Sequence, residues 1–193
     1  QLLDDPRCDA VVAPTRRPLA HADPALHNPV VDFERLPVDA PWWAVDAVIC
    51  ALGSTIKQAG SRAVFSRIDH DYPLAFARLA RTQGARAFVL NSAAGANPGS
   101  AIFYSRVKGE LERDLRALGF PSLTLVRPGL IGGERQEVRR GEHFALQVLG
   151  VLGPVLPRAW RINPAPEIAH ALVDAALAAK PGEHVVPSRD LVG

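Results

Sequence analysis

The sequence predicts an α/β protein built on a doubly wound parallel sheet with helices on both faces. Two observations carry this. Short, nearly continuous apolar runs alternate with helical patterns along the chain, as do strands buried on both faces and their crossover helices. The chain has 193 residues, 48% hydrophobic and 22% charged, enough for one soluble domain with a sizeable core. Strand–helix–strand connections of this kind are right-handed, which produces three layers. No repeat or linker divides residues 1–193, so a single domain is expected.

The elements follow in order. "QLLDDP" reads as the end of a helix, and "DAVVAP" as the first strand, closed by Pro14. The Pro-rich stretch "RRPLAHADPALHNP" is a surface loop. "NPVVDF" and then "DAVICALG", centred on Ile49, are the next apolar runs. "SRAVFSRIDHDYPLAFARLARTQG" is helical, interrupted near Pro73 and stopped at Gly84, because proline lacks the N–H a helix interior needs. "ARAFVLNSAAGA" is a strand running into a small-residue loop. "YSRVKGELERDLRALG" is an amphipathic helix stopped at Gly119, and "SLTLVRPGLIGG" a buried strand running into a Pro/Gly loop. "APEIAHALVDAALAAKPG" is an Ala-rich helix with Pro166 near its start and Gly182 past its end, before a last strand, "EHVVP".

Composition excludes several classes. A net charge of +2, with scattered arginines and no basic run interleaved with aromatics, argues against nucleic acid or an anionic membrane as partner. No apolar stretch is long enough to span a bilayer; "FALQVLGVLGPVLP" comes closest and is broken by Gly150, Gly153 and Pro154. Two cysteines, Cys8 and Cys50, form no disulfide framework and fit a reducing cytoplasm. The six histidines show no metal-ligand spacing, so no metal site is expected. The absence of a Gly-x-Ser-x-Gly elbow argues against an α/β-hydrolase. Trp42-Trp43 reads as packing, with an exposed contact patch as the alternative.

Ligands of open parallel sheets bind beyond the carboxyl ends of the strands. The residues there are Thr15, Arg16 and Arg17; Asp32; Ala51 to Thr55, including Leu52 and Gly53; Ser92; and Pro128 with Gly129. About a dozen residues after Ser92, Tyr104 and Lys108 stand four apart, one turn along one helix face. A lysine cation stabilises a phenolate, and a serine hydroxyl can hold a carbonyl oxygen while tyrosine protonates it. Hydride transfer at a carbonyl needs such groups and takes its hydride from a cofactor. Each residue also has an ordinary reading: a surface pair for Tyr104 and Lys108, a strand-end hydroxyl for Ser92, a solvated turn for Arg16 and Arg17, and a turn-starting residue for Asp32.

These pieces together resemble the short-chain dehydrogenase/reductase superfamily, in its atypical NAD(P)H-binding branch. "YSRVK" stands for that family's Tyr-x-x-x-Lys, "LNSAAGA" for its serine strand, "CALGST" for its strand-four loop and "VRPGLIGG" for its Pro-Gly loop. More narrowly, "IFYSRVKGELERDL" and "LTLVRPGLI" resemble the Tat-interacting-protein oxidoreductase type. The resemblance implies a Rossmann-like fold. It implies Tyr104 as acid/base, Lys108 beside it and on the nicotinamide ribose, and Ser92 on the substrate carbonyl. Gly53 would let the backbone approach the cofactor, with Leu52 beside it among the cofactor-binding residues, and Pro128 and Gly129 would offer backbone groups to the carboxamide. Arg16 and Arg17 would grip a 2′-phosphate, favouring NADP(H) over NAD(H), and Asp32 would face the adenine.

The implied function is oxidoreduction of a small-molecule carbonyl or alcohol. A non-catalytic NADPH-sensing regulator stays open, as does a sugar-nucleotide epimerase or dehydratase, although few residues follow Tyr104 to build a substrate lobe. A protein partner and a homodimer also stay open. Substrate contacts are expected mainly from loops after residue 129, such as "GGERQEVRRGEHF". The family's first strand and its Gly-rich turn have no counterpart in the sequence. That strand belongs at the sheet centre, so either a gap there or another segment filling it is expected. About 20–30 further residues upstream, with a Gly-x-x-Gly-x-x-Gly-like turn, would complete the βαβ unit.

Overall fold

The computed structural model describes residues 1–132 and 162–192. Two short parallel strands come first, β1 (Val11–Val12) and β2 (Leu26–His27). The main sheet contains β3 (Ala47–Cys50), β4 (Ala87–Asn91) and β5 (Ser122–Arg127). It ends on β8 (Gly182–Pro187), and the four lie side by side in that order, all parallel. A small pair, β6 (Ile131–Gly132) and β7 (Asn163–Pro164), follows the Pro-Gly loop. The helices are α1 (Ile56–Ala59), α2 (Arg62–Ser66), α3 (Tyr72–Thr82), α4 (Phe103–Ala117) and α5 (Ala165–Ala178).

Period-two side-chain alternation creates the three layers. Phe88, Leu90, Leu123 and Leu125 face one way and pack under Leu74 and Ala77 of α3 and Leu111 and Leu115 of α4. Val89 and Val126 face the other way, against Ile168, Leu172 and Ala176 of α5. In α4 the buried positions Val107, Lys108, Leu111, Glu112 and Leu115 form one stripe at helical spacing. Trp43 is buried, its indole N–H donating to the Pro37 carbonyl at 2.7 Å, and Trp42 packs on the same core.

Of the two outcomes expected at the sheet centre, no described strand fills the place beside β3. Neither β1 nor β2 is hydrogen-bonded to the main sheet, and among the described residues β3 pairs only with β4. The first ladder also starts earlier than its apolar run. Leu26 and His27 pair with β1, and "NPVV" continues the ladder through Thr15 and Val31. Pro29 has no N–H to give, so Asn28 bridges by its side chain to the Ala13 carbonyl and Thr15 Oγ1.

The break in the long helix takes a particular form. Residues Arg67–Asp71 make a π-helical turn between α2 and α3, and the Tyr72 N–H bonds to the Arg67 carbonyl, five residues back. Pro73 cannot donate to the Asp69 carbonyl, so the widened turn stands just where the ladder loses a donor.

Gly109, buried in α4, lets the loop before this helix cross it. An added Cβ would lie 2.2 Å from the Asn97 carbonyl carbon and 2.3 Å from the Pro98 nitrogen. In a free helix, alanine outperforms glycine by about 1 kcal/mol. Here backbone meets backbone, and Gly109→Ala should instead destabilise by roughly 1–3 kcal/mol. Thermal unfolding checks the sign, and a variant as stable as the parent would contradict it.

Candidate active site

Helix α4 sets Tyr104, Lys108 and Glu112 at successive turns of one face. Tyr104 is half-buried beside the Phe65 ring, 5.7 Å between centroids. Lys108 is buried, and its ammonium lies 2.9 Å from Oδ1 of Asp69 on the π-helical turn. The second carboxylate oxygen of Asp69 accepts both the Ser54 N–H at 2.8 Å and the Ser54 hydroxyl at 2.7 Å. Gly53 precedes Ser54 and is exposed; a Cβ there would sit 3.2 Å from Asp69 Oδ1 and 3.6 Å from Lys108 Nζ. The loop after β3, the π-helical turn and α4 therefore meet around one lysine. Cys50, at the end of β3, is close enough to feel both charges, and burial pushes its thiol pKa up.

Ser92 sits at the end of β4, as the sequence placed it, but faces inward. Its hydroxyl donates to Glu112 Oε1 at 2.6 Å in the buried interior. Glu112 also takes Nε of Arg127 at 2.9 Å and its Nη2, and this pairing holds the guanidinium pKa above its ordinary value. To hold a substrate carbonyl, the Ser92 hydroxyl must turn away from Glu112.

The Pro-Gly loop is tied down from behind. Asn163 accepts the Gly129 N–H at 2.6 Å and the Ser188 hydroxyl at 2.8 Å, and donates to the Ser188 carbonyl. The Pro128 carbonyl takes the Ala94 N–H at 2.8 Å. A carboxamide would therefore find the Gly129 donor already engaged. Leu52 packs on the core below the loop after β3. Arg16 and Arg17 are exposed after β1 and form no ion pair with a described residue. Asp32 caps its own turn, accepting the Glu34 N–H at 2.9 Å. The structure thus groups Gly53, Tyr104 and Lys108, brings Ser92 beneath them through Glu112, and leaves Arg16, Arg17 and Asp32 on the separate two-stranded ladder. The expected substrate loop from residue 133 onward lies outside the described residues.

The residues present fit a nicotinamide cofactor. Backbone without a side chain at Gly53 lies against a buried ammonium, and a phenol stands one turn away on α4. Among the described residues no three His, Cys, Asp or Glu side chains form a metal-binding group, and no helix is long and apolar enough to cross a membrane.

No family model matches the sequence. Protein HTATIP2 from Rattus norvegicus is 40% identical over 149 residues, covering 75% of this chain and 60% of that protein. The mitochondrial protein fmp52 of Aspergillus fumigatus is 40% identical over 138 residues, covering 70% and 58%. The chain is a homologue of HTATIP2 and fmp52. It is thereby a relative of the type its motifs resemble, and it spans about three fifths of the length of these proteins. Among solved structures, MoeE5 in complex with UDP-glucose and NAD superposes with a TM-score of 0.67 at 16% identity, over 91% of this chain and 66% of that one. A dTDP-4-dehydrorhamnose reductase from Bacillus anthracis in complex with NADP gives 0.57 at 13% identity, over 84% and 65%. These similarities show that this HTATIP2 homologue has the Rossmann-like fold.

Sequence reasoning missed Asp69, Glu112, Arg127 and Asn163. Glu112 had a signal, four residues beyond Lys108 on the same face. Asp69 had none, because only the packing of the π-helical turn against α4 brings it to Lys108.

Proposed function

We propose that this HTATIP2 homologue is an NADP(H)-dependent oxidoreductase that interconverts a small-molecule carbonyl and its alcohol. The carrying observation is the Tyr104–Lys108 pair on α4, with the buried Lys108 ammonium against the side-chain-free backbone of Gly53. The nicotinamide, when bound, supplies or accepts the hydride. Tyr104 passes its phenolic proton to the carbonyl oxygen, and Lys108 stabilises the phenolate and holds the ribose. Ser92 orients the carbonyl once its hydroxyl leaves Glu112. Gly53 lets the backbone approach the cofactor with Leu52 beside it, the Pro128 and Gly129 loop offers backbone groups to the carboxamide, and Asp32 faces the adenine. The reaction is placed in a reducing cytoplasm; the fungal relatives are named mitochondrial, and cell fractionation separates the two.

One observation favours a second reading. The inward Ser92 hydroxyl suits a protein that binds NADPH and a protein partner without turnover. Carbonyl compounds screened with NADPH on the full-length protein decide between them. Oxidation of NADPH dependent on a carbonyl is expected, and cofactor binding without turnover across the screen would favour the regulator.

Cofactor choice gives a separate test. Arg16 and Arg17 should make NADPH bind more tightly than NADH, since a charge-assisted hydrogen bond is worth roughly 1.5–3 kcal/mol. Replacing both by alanine should erase the preference in a binding titration. Equal affinities in the parent protein would refute the role.

A further inference from the structure

The catalytic reading uses Lys108 and leaves Asp69 without a role. Yet Asp69 is among the most deeply buried charged groups described, and it touches both parts of the cofactor-facing rim. One oxygen pairs with Lys108; the other takes two hydrogen bonds from Ser54, next to Gly53. It stands on a π-helical turn, an irregularity that tends to occur at functional sites.

We propose that Asp69 is the positioning residue for Lys108, holding its ammonium at contact distance from a carboxylate and aimed at the cofactor ribose while locking the Gly53–Ser54 loop to α4. The inference rests on Lys108 gripping that ribose. Burial disfavours an ammonium, and a carboxylate at contact distance offsets this. The other ionisable groups around Lys108 are Tyr104 and Glu112 on its own helix and the Cys50 thiol from β3. Of these, Glu112 is already engaged by Arg127 and Ser92, so Asp69 carries the counter-charge. An asparagine there would keep an oxygen for the two Ser54 donors and turn an N–H group towards Lys108, setting donor against donor.

The test is NADPH binding by the full-length protein, read by cofactor fluorescence as a function of pH. In the parent protein the affinity should stay nearly level from neutral pH to about pH 9, and in Asp69→Asn it should fall by about tenfold or more over that span. Asp69→Glu, which restores a carboxylate, should recover the level profile. A merely structural role would weaken binding equally at every pH. Ser54→Ala keeps both charges and removes one of the two bonds that steady Asp69. It should steepen the profile in the same direction by less, and it carries the test together with Asp69→Glu if Asp69→Asn does not fold. Profiles that superimpose on the parent's would overturn the proposal. Lys108→Met separates the two readings. If it leaves NADPH affinity unchanged, the ribose role fails and the inference with it. If it weakens binding while the Asp69 variants match the parent, only the inference fails.

Discussion

Tyr104→Phe should remove turnover by about 10²- to 10⁴-fold while leaving NADPH affinity at the parent level. The phenol is the only group in the site proposed to exchange a proton with the substrate oxygen, whereas the ribose is assigned to Lys108. The ring stays against Phe65, 5.7 Å between centroids, so the substitution removes one oxygen and little packing. Steady-state rates on a carbonyl found in the screen, with a binding titration on the same preparation, measure both halves. Turnover near the parent rate would remove Tyr104 from the mechanism.

Arg127→Leu should destabilise the fold by about 3 kcal/mol or more, because it strands a buried carboxylate. Glu112 is 1% exposed and loses two of its hydrogen bonds. Ser92 still donates to it, but Arg116, at 3.7 Å, is already bound to Glu183. The reciprocal change, Glu112→Leu, should cost less, since the partly exposed Arg127 can turn to water. The double variant should recover part of the loss, as expected for two charges that are harmful singly. Urea unfolding of the four proteins provides the cycle. A loss in Arg127→Leu no larger than that of an ordinary surface substitution would contradict the buried pairing.

Much of the fold was legible because the signals are local. The runs at Ile49, Phe88 and Leu123 became parallel strands, and the stripe through Val107, Leu111 and Leu115 became the face of α4. Gly84 and Gly119 end their helices with positive φ, 100° and 63°, which glycine adopts without a Cβ penalty. Boundaries slipped where a side chain replaced a backbone donor, as Asn28 does beside Pro29.

The candidate site was legible only along single elements. The sequence by itself determined that Tyr104 and Lys108 share a helix face, since 3.6 residues per turn place them there in any α-helix. It also determined that Gly53, Ser92 and Pro128 end their strands, since apolar runs and breakers are read residue by residue. Only the tertiary structure decided where the polar groups point. Ser92 turns to Glu112 and away from the rim, Gly129 gives its N–H to Asn163, and Lys108 meets Asp69 across two helices. Buried polar groups must find partners inside the protein, and those partners come from whichever element packs opposite, a relation that no spacing along the chain encodes.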